Sequence, residues 1–395
     1  MSYDTWIVRK LGEVTINHDK KRIPLSTMER TNRKGKYPYY GAQGIIDYID
    51  DYIFEGRYLL IAEDGANLQT RSQDIASLTS FGEKFWVNNH AHILSSNELS
   101  DIRYIMYYLN HYDISGYITG SAQPKLNQTN LNSIEINLPS FQEQKAIANI
   151  LSSLDDKIEL NNKIIKNLEE MAQTLYKRWF VDFEFPNEDG EPYKSSGGEM
   201  IESEIGLIPN GWELVKLKNM FKFIKGKKPK GITEIFNKDL KEYLTLDVLK
   251  GKANSYANKE KAIIVDELDV TMVMDGASSG TIYYGKSGIL SSTLALLKPL
   301  KEYNYSSYLF STTRYFEDAI KERQTGSAIP HTDKNYVYSL EIPYNKETVK
   351  IFNEFISDFR KEVIVLSKEN LKLSKARDTL LPKLMSGEIE VPVGE

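Results

Sequence analysis

Cysteine is absent from all 395 residues, which excludes disulfide staples and thiolate metal sites and fits a reducing compartment. Histidine is scarce, five in the whole chain, and only His90 and His92 stand close together. They alternate as ligands on a strand could, but no third ligand is near in sequence, so no metal site is expected. Long hydrophobic runs are missing as well. None approaches the roughly 18 residues that span a bilayer, and the opening MSYDTWIVRK has no signal-peptide character. The expectation is a cytoplasmic protein that does not contact a membrane.

An excess of positive charge is lacking too. The net charge is −5, which argues against a general polyanion binder. The deficit is local, however: PNEDGEPYKSSGGEMIESEIGLIPN, residues 186–210, has one lysine against six acids. Residues 1–140 have 14 basic and 16 acidic side chains, and residues 211–345 have 20 and 16. Two basic runs stand out from this background, ERTNRKGK at 29–36 and IKGKKPKG at 224–231. Either is a candidate patch for an anionic partner or an ordinary solvated loop.

What the chain does have is itself, twice. TGSAQP at 119–124 recurs as TGSAIP at 325–330, and SIEI at 133–136 as SLEI at 339–342, both 206 residues on. At the same offset Trp6, Lys10 and Leu11 fall on Trp212, Lys216 and Leu217. With some drift EDGA at 63–66 answers MDGA at 274–277, and NNHAHIL at 88–94 answers SSTLALL at 291–297. Each copy opens with Trp and short β-like runs, such as RYLLIAE at 57–63 and VTMVMD at 270–275, separated by Gly, Asn and Asp turn signals. Helical patches at 101–111 and 306–323 are interspersed. The reading is a mixed α+β module used twice.

A long amphipathic pattern follows each module. The first runs through Ile147, Leu151, Leu154, Ile158, Ile165, Leu168, Ala172, Leu175 and Trp179, broken by Asn161. The second runs through Phe352, Ile356, Phe359, Val363, Leu366, Leu373, Leu380 and Leu384, with Asn370 and Arg377 as polar members. Seams of this length favour coiled-coil pairing, and the first helix would be roughly 50 Å long. If the pair is antiparallel with Asn161 opposite Asn370, Ile147 faces Leu384 and Leu175 faces Ile356, so every seam residue finds a partner. A buried Asn pair would fix that register, because a slip strands each amide against hydrocarbon; the alternative is that both Asn sit in exposed layers. The expected boundaries are 1–140, a helix at 141–184, an acidic linker at 185–210, 211–345, and a second helix with its tail at 346–395.

Two tandem copies whose helices pack antiparallel would be related by an approximate two-fold rotation, the symmetry of duplex DNA. One module could then lie on each of two different half-sites, with the helices as a ruler for the unread gap. At this point the residues carry a resemblance. LPSFQEQKAIANILSSLDDKIELNNKIIKNLEEMAQTLYKRWFVDFEFP at 138–186, PYKSSGGEMIESEIGLIPNGWE at 192–213 and LLPKLMSGEIEV at 380–391 resemble the specificity subunit of type I restriction-modification enzymes, a likeness spread over essentially the whole chain. The second helix lacks the P-x-x-x-Q-x-x-I start of the first and has YNKETVKIFNEF at 344–355 instead. The resemblance implies an α+β fold of two target-recognition domains joined by two long antiparallel helices in a coiled coil. It also implies a subunit that reads a bipartite, asymmetric DNA site and performs no chemistry itself. Its partners would be double-stranded DNA, two methyltransferase subunits using S-adenosylmethionine, and restriction subunits using ATP and Mg²⁺, with no cofactor held by this chain. In keeping with this, neither an NPPY-type adenine-methylation tetrapeptide nor a convincing nuclease carboxylate set is found. A specificity protein serving a fused nuclease-methylase is the alternative from within restriction-modification.

Base reading needs paired donors and acceptors delivered from loops. The first module offers Arg30, Arg33, Lys34 and Lys36 with Tyr37, Tyr39 and Gln43, then Asn67, Gln69 and Arg71. The second offers Lys225, Lys227, Lys228 and Lys230, then Ser278 and Ser279. Gln123 and Lys125 beside one TGSA turn and His331 beside the other are further candidates, while Gly120 and Gly326 serve either the turn itself or a DNA contact. The exposed faces of the helices, carrying Lys157, Lys163, Lys166, Glu169 and Glu170, are read as mostly solvated, with room for partners to dock. One string points to another class of protein. GTIYYGKS at 280–287 fits the G-x-x-x-x-G-K-[ST] phosphate loop letter for letter. Its interior is bulky and β-favouring, and the sequel reads as another strand rather than a helix. A β-hairpin segment is expected there, with Lys286 as one more candidate for a DNA phosphate.

Overall fold

The computed structural model describes residues 6–120, 123–326 and 329–392. The chain divides into two compact units: Met1–Ile158 with Leu371–Glu395, and Glu159–Asn370.

The first unit carries strands β1 (Ile7–Lys10), β2 (Thr15–Asn17), β3 (Lys34–Gly41), β4 (Gly44–Ile49) and β5 (Phe54–Glu55). These are followed by β6 (Leu59–Ala62), β7 (Ala76–Leu78), β8 (Lys84–Val87), β9 (Ala91–Ser96) and β10 (Glu135–Leu138). They form sheets in the orders β2-β9-β6-β7, β4-β3-β8-β5 and β1-β10. The β6 sequence LLIA is buried along its whole length, as a strand covered on both faces requires. Helix Ile102–His111 starts where the Asp101 carboxylate accepts the Arg103 amide at 2.9 Å. It buries Tyr104, Ile105 and Leu109 against Leu59, Ile61 and Leu94.

The second unit carries β11 (Met200–Ser203), β12 (Gly206–Pro209), β13 (Glu213–Lys216), β14 (Phe221–Lys225), β15 (Lys241–Leu244) and β16 (Tyr256–Ala257). Then come β17 (Ile264–Val265), β18 (Thr271–Val273), β19 (Ile282–Tyr283), β20 (Gly288–Leu290), β21 (Leu294–Pro299) and β22 (Glu341–Tyr344). The sheet orders are β14-β21-β18-β19, β16-β15-β20-β17 and β13-β22. Strand for strand this repeats the first unit. The repeat extends to the single parallel pairing within each set of three sheets, β3 with β8 and β15 with β20. The repeated strings therefore mark equivalent strands. The hairpin β11-β12 is an addition, in the stretch expected to be an acidic linker. The helix expected over 306–323 is broken at Phe316 into Ser306–Tyr315 and Glu317–Glu322.

Both long helices are present, Phe141–Phe180 and Lys346–Met385, 40 residues each. The first begins earlier than its seam because Ser140 and Glu143 form a reciprocal cap, each side chain accepting the other's amide, at 3.3 and 3.0 Å. The second begins at Asn345, whose side chain accepts the Thr348 amide at 3.1 Å. The pairing is antiparallel. In the second unit Trp179 and Phe180 meet Phe352, with ring centroids 5.7 and 5.0 Å apart. Asn161 is fully buried and donates to the Asn370 carbonyl oxygen at 2.9 Å and to Glu369 at 2.7 Å, while Asn370 donates to Asn162 at 2.9 Å. In the first unit Ile147 and Leu151 share a core with Leu384 and Met385. Arg377, a polar member of the second seam, bonds Asp155 at 2.8 Å.

Candidate nucleic-acid interface

In both units the two repeated turns are fastened to each other. Asp64 bridges Lys125, which also bridges Thr119; Asp275 bridges His331, which also bridges Thr325. The Gly65 amide donates to the Pro124 carbonyl at 3.2 Å, and the Gly276 amide to that of Pro330 at 2.9 Å. Gly120 and Gly326 have φ of 82° and 89°. A Cβ on either would lie 2.4 or 2.5 Å from a backbone carbonyl oxygen, that of Gln123 or Ile329. Only glycine fits, which gives these residues a structural reason to recur. The turn tips Ser121-Ala122 and Ser327-Ala328 lie outside the described residues. Gln123, Lys125 and His331 are exposed beside them.

Each clamp carries a carboxylate between two bases. In the first unit Glu63 meets Arg22 at 2.7 Å and Lys125 at 3.2 Å. In the second Asp275 meets His331 at 2.8 Å and Lys225 at 3.1 Å. Burial pushes the Glu63 carboxyl up, but Arg22, His92 and Lys125 outweigh it and hold the group below its ordinary value. Asp275 is likewise raised by burial and then lowered further by His331 and Lys225. A cleft of about 670 Å³ opens there, lined among others by Lys225, Asp275, Thr325, His331 and Lys334.

The neighbouring histidines have separate duties. His92 is buried, with Nδ1 2.6 Å from Asp19 and Nε2 2.7 Å from the Leu126 carbonyl. His90 is half-exposed and reaches Asp64 at 2.7 Å. Burial would raise the Asp19 carboxyl, but hydrogen bonds from His92 and the Ile93 amide, helped by Arg22, leave it lowered.

The structure sorts the remaining candidates. Tyr39 is fully buried and its hydroxyl accepts the Leu25 amide at 2.8 Å. Asn67 is buried, donating to the Gln73 carbonyl and accepting the Gln73 amide, both at 3.0 Å. Arg71 donates to the carbonyls of Leu109, Asn110 and Tyr112, at 2.8 to 3.0 Å, at the end of helix Ile102–His111. Ser279 is fully buried. These four are corrections: Tyr39, Asn67 and Arg71 spend their polar groups on backbone partners, and Ser279 is shut off from the surface. Arg30 is a fifth, held by Asp47 at 3.3 Å and the Leu25 carbonyl at 2.8 Å and lying 5.3 Å over the Tyr39 ring. Arg33 pairs with Asp50 at 2.9 Å and lies 4.9 Å over Trp86, while Lys34 pairs with Asp47 at 2.6 Å and remains exposed. Lys36, Gln43 and Gln69 are exposed; Tyr37 is half-buried against Tyr52, with centroids 5.1 Å apart. In the second unit Lys227, Lys228 and Lys230 are exposed, and among the described residues they carry no ion pair. Their loop is anchored at Gly226, where a Cβ would lie 2.1 Å from the Ser291 carbonyl oxygen. Ser278 is half-buried. Sequence reading missed Glu63, Asp275 and Arg22, although the recurrence of EDGA and MDGA pointed at the place.

The string at 280–287 is a strand and a turn. Thr271 of β18 pairs with Tyr283 of β19, and β20 follows where a phosphate loop needs a helix. Lys286 donates to the Val248 carbonyl at 2.6 Å, so its ammonium is tied to the protein, a sixth correction. Thr281 to Tyr284 line a cleft of about 840 Å³ together with Lys166, Glu169, Glu170 and Arg314, so its wall is of mixed charge.

Comparison with known proteins also finds the module twice. The family model described as type I restriction modification DNA specificity domain matches residues 3–170 and again 209–373. The chain belongs to this family. It is 32% identical over 182 residues to the specificity subunit of the type I restriction enzyme MjaVIII of Methanocaldococcus jannaschii, covering 45% of this chain and 43% of that one. It is 26% identical over 339 residues to the HindI specificity subunit of Haemophilus influenzae, covering 67% of this chain and 71% of that one. Thus the chain spans under half the length of the first relative and over two thirds of the second. The crystal structure of a type I restriction-modification S subunit from M. genitalium superposes with a TM-score of 0.68 over 100% of this chain and 98% of that one, at 16% identity. For this specificity-domain protein the two matched segments coincide with the two halves of the strand repeat. Each segment contains one clamp and runs into one long helix.

Proposed function

We propose that the chain is the DNA-reading subunit of a type I restriction-modification complex, working in the cytoplasm. Each unit reads one half of a bipartite, asymmetric site. The long helices fix the unread spacer and recruit two methyltransferase subunits. The chain itself is non-catalytic: S-adenosylmethionine, ATP and Mg²⁺ belong to the methyltransferase and restriction subunits.

The observation that supports this reading is the duplication with divergence. Two units repeat one strand order, yet their exposed side chains differ, with Lys36, Gln43 and Gln69 in the first and Lys227, Lys228 and Lys230 in the second. Same scaffold and different loops suit two readers of different sequences. The test is methylome sequencing of cells expressing the chain with its methyltransferase partner. The expected result is one split motif methylated at adenine on both strands. Replacing residues 211–345 by the matching segment of a relative should change one half of the motif only. An uninterrupted motif, or a motif indifferent to the replacement, contradicts the reading.

A further inference from the structure

The backbone of the clamped turns is built the same way in both units, although the pairing carboxylate is offset by one position: Asp275 is the counterpart of Asp64, which pairs with His90, and not of Glu63. If the two units read different base sequences, what they share should meet what the two half-sites share, and that is the sugar-phosphate backbone. We propose that the clamps are the phosphate contacts of the two units: Lys125 in the first, and Lys225 with His331 in the second, each set in place by a carboxylate, Glu63 or Asp275. This rests on the DNA-reading function above.

The local chemistry supports it. The outer bases are half-exposed, Lys125 at 51%, Lys225 at 51% and His331 at 48%, whereas their carboxylates are at 13% and 26%. The acids therefore face inward and the bases outward. Each acid is shared by two bases, Arg22 and Lys125 or Lys225 and His331, so no base has an acid to itself. Both lysines reach well out of the protein, so each ammonium can turn to a phosphate while the carboxylate keeps it near the right position. In the second unit the bases line the cleft of about 670 Å³ together with Lys334 and the Thr325 hydroxyl. Glu63 and Asp275 are thus positioning residues rather than repulsive ones.

The experiment uses the complex with its methyltransferase subunits. Fluorescence anisotropy follows two 40-base-pair duplexes, one with the methylome-derived motif and one with that motif scrambled, between about 50 and 200 mM salt. Lys125→Ala and Lys225→Ala are each expected to weaken both duplexes by the same factor, on the order of tenfold or less, and to reduce the slope of log K against log salt by about 0.9. Lys301→Ala removes the same charge from the exposed turn Lys301–Tyr303 and should leave the slope alone. Unchanged slopes in both clamp variants overturn the proposal, and so does a loss confined to the motif duplex, which would mark base reading instead. A wild-type complex that shows no preference for the motif duplex overturns the DNA-reading function and the inference with it. That outcome is told apart from the first by the wild-type comparison alone.

Discussion

At the scale of single residues the clamps depend on conformations that few side chains tolerate. Gly120 and Gly326, at φ of 82° and 89°, leave no room for a Cβ. Gly120→Ala and Gly326→Ala should each cost about 1–3 kcal/mol, read as a lower denaturation midpoint with an unchanged m-value. Charge imposes a second residue-scale condition. Asp19, Glu63 and Asp275 all have carboxyls below their ordinary values once burial has been outweighed by their partners. Groups whose folded pKa is depressed contribute stability that is complete above the unfolded value and lost as pH falls through the folded one. The denaturation midpoint should therefore be level from pH 7 to about 5 and fall below about pH 4. Asp19→Asn should flatten that acid limb, and an unaltered limb would show that the His92 pair is not its source. The glycines were legible because both turns recur as strings. The partners of Arg71 and Asn67 were not, since a side chain's commitment to a carbonyl 38 residues away, as from Arg71 to Leu109, leaves no local pattern.

At the scale of elements the two helices show what periodicity can convey. The register read from the sequence rests on placing Asn161 opposite Asn370, and in the structure the two side chains share a 2.9 Å bond. The layer is not an optimum of stability, because the Asn161 carbonyl oxygen is buried without a hydrogen-bond partner. Asn161→Leu should cost about 1–3 kcal/mol by stranding the Asn370 carbonyl oxygen, whereas Asn161→Leu with Asn370→Leu should recover or exceed the original stability. A double-mutant cycle in urea measures the coupling; a single substitution that stabilises would show that the Asn370 carbonyl oxygen is not left stranded. Arg360 was not legible. Its guanidinium lies 4.4 Å over Tyr284 and 5.0 Å over Phe310, and burial pushes it down to about 10. No helical period distinguishes such an arginine from a solvated one. The phosphate-loop string shows the opposite error, a match of letters whose neighbouring elements, β19 and β20, supply a strand where the chemistry needs a helix.

At the scale of the whole molecule the repeat in the sequence suggested two modules each followed by its own helix, but the cores are partitioned otherwise. The first unit takes in Leu371–Glu395, the far end of the chain. Leu384 and Met385 are at 1% and 5% exposure in the same core as Leu59, Tyr104, Ile147 and Leu151, with Leu380 and Leu381 packed against it. The Arg377 guanidinium also holds Asp155, which in turn accepts the Tyr107 hydroxyl at 2.6 Å. Seam periodicity could pair Ile147 with Leu384 but could not say that the pair belongs to the core of the first sheets, because that depends on contacts between strands with no shared period. Ending the chain after Asn370 should therefore damage residues more than 200 positions upstream. Each buried leucine or methionine removed costs about 2–5 kcal/mol, against a usual total of about 5–15, so the first unit should lose its cooperative fold. Hydrogen exchange followed by mass spectrometry should show the amides of Tyr104 to Leu109 and of Ile147 to Leu151 losing protection by orders of magnitude. The strands β18 and β21 of the second unit, whose core draws on Phe352 and Ile356 rather than on the missing tail, should keep theirs. Equal protection of the first unit in the shortened and full chains would mean that its core closes without the returning helix, and the division of the molecule into these two units would have to be redrawn.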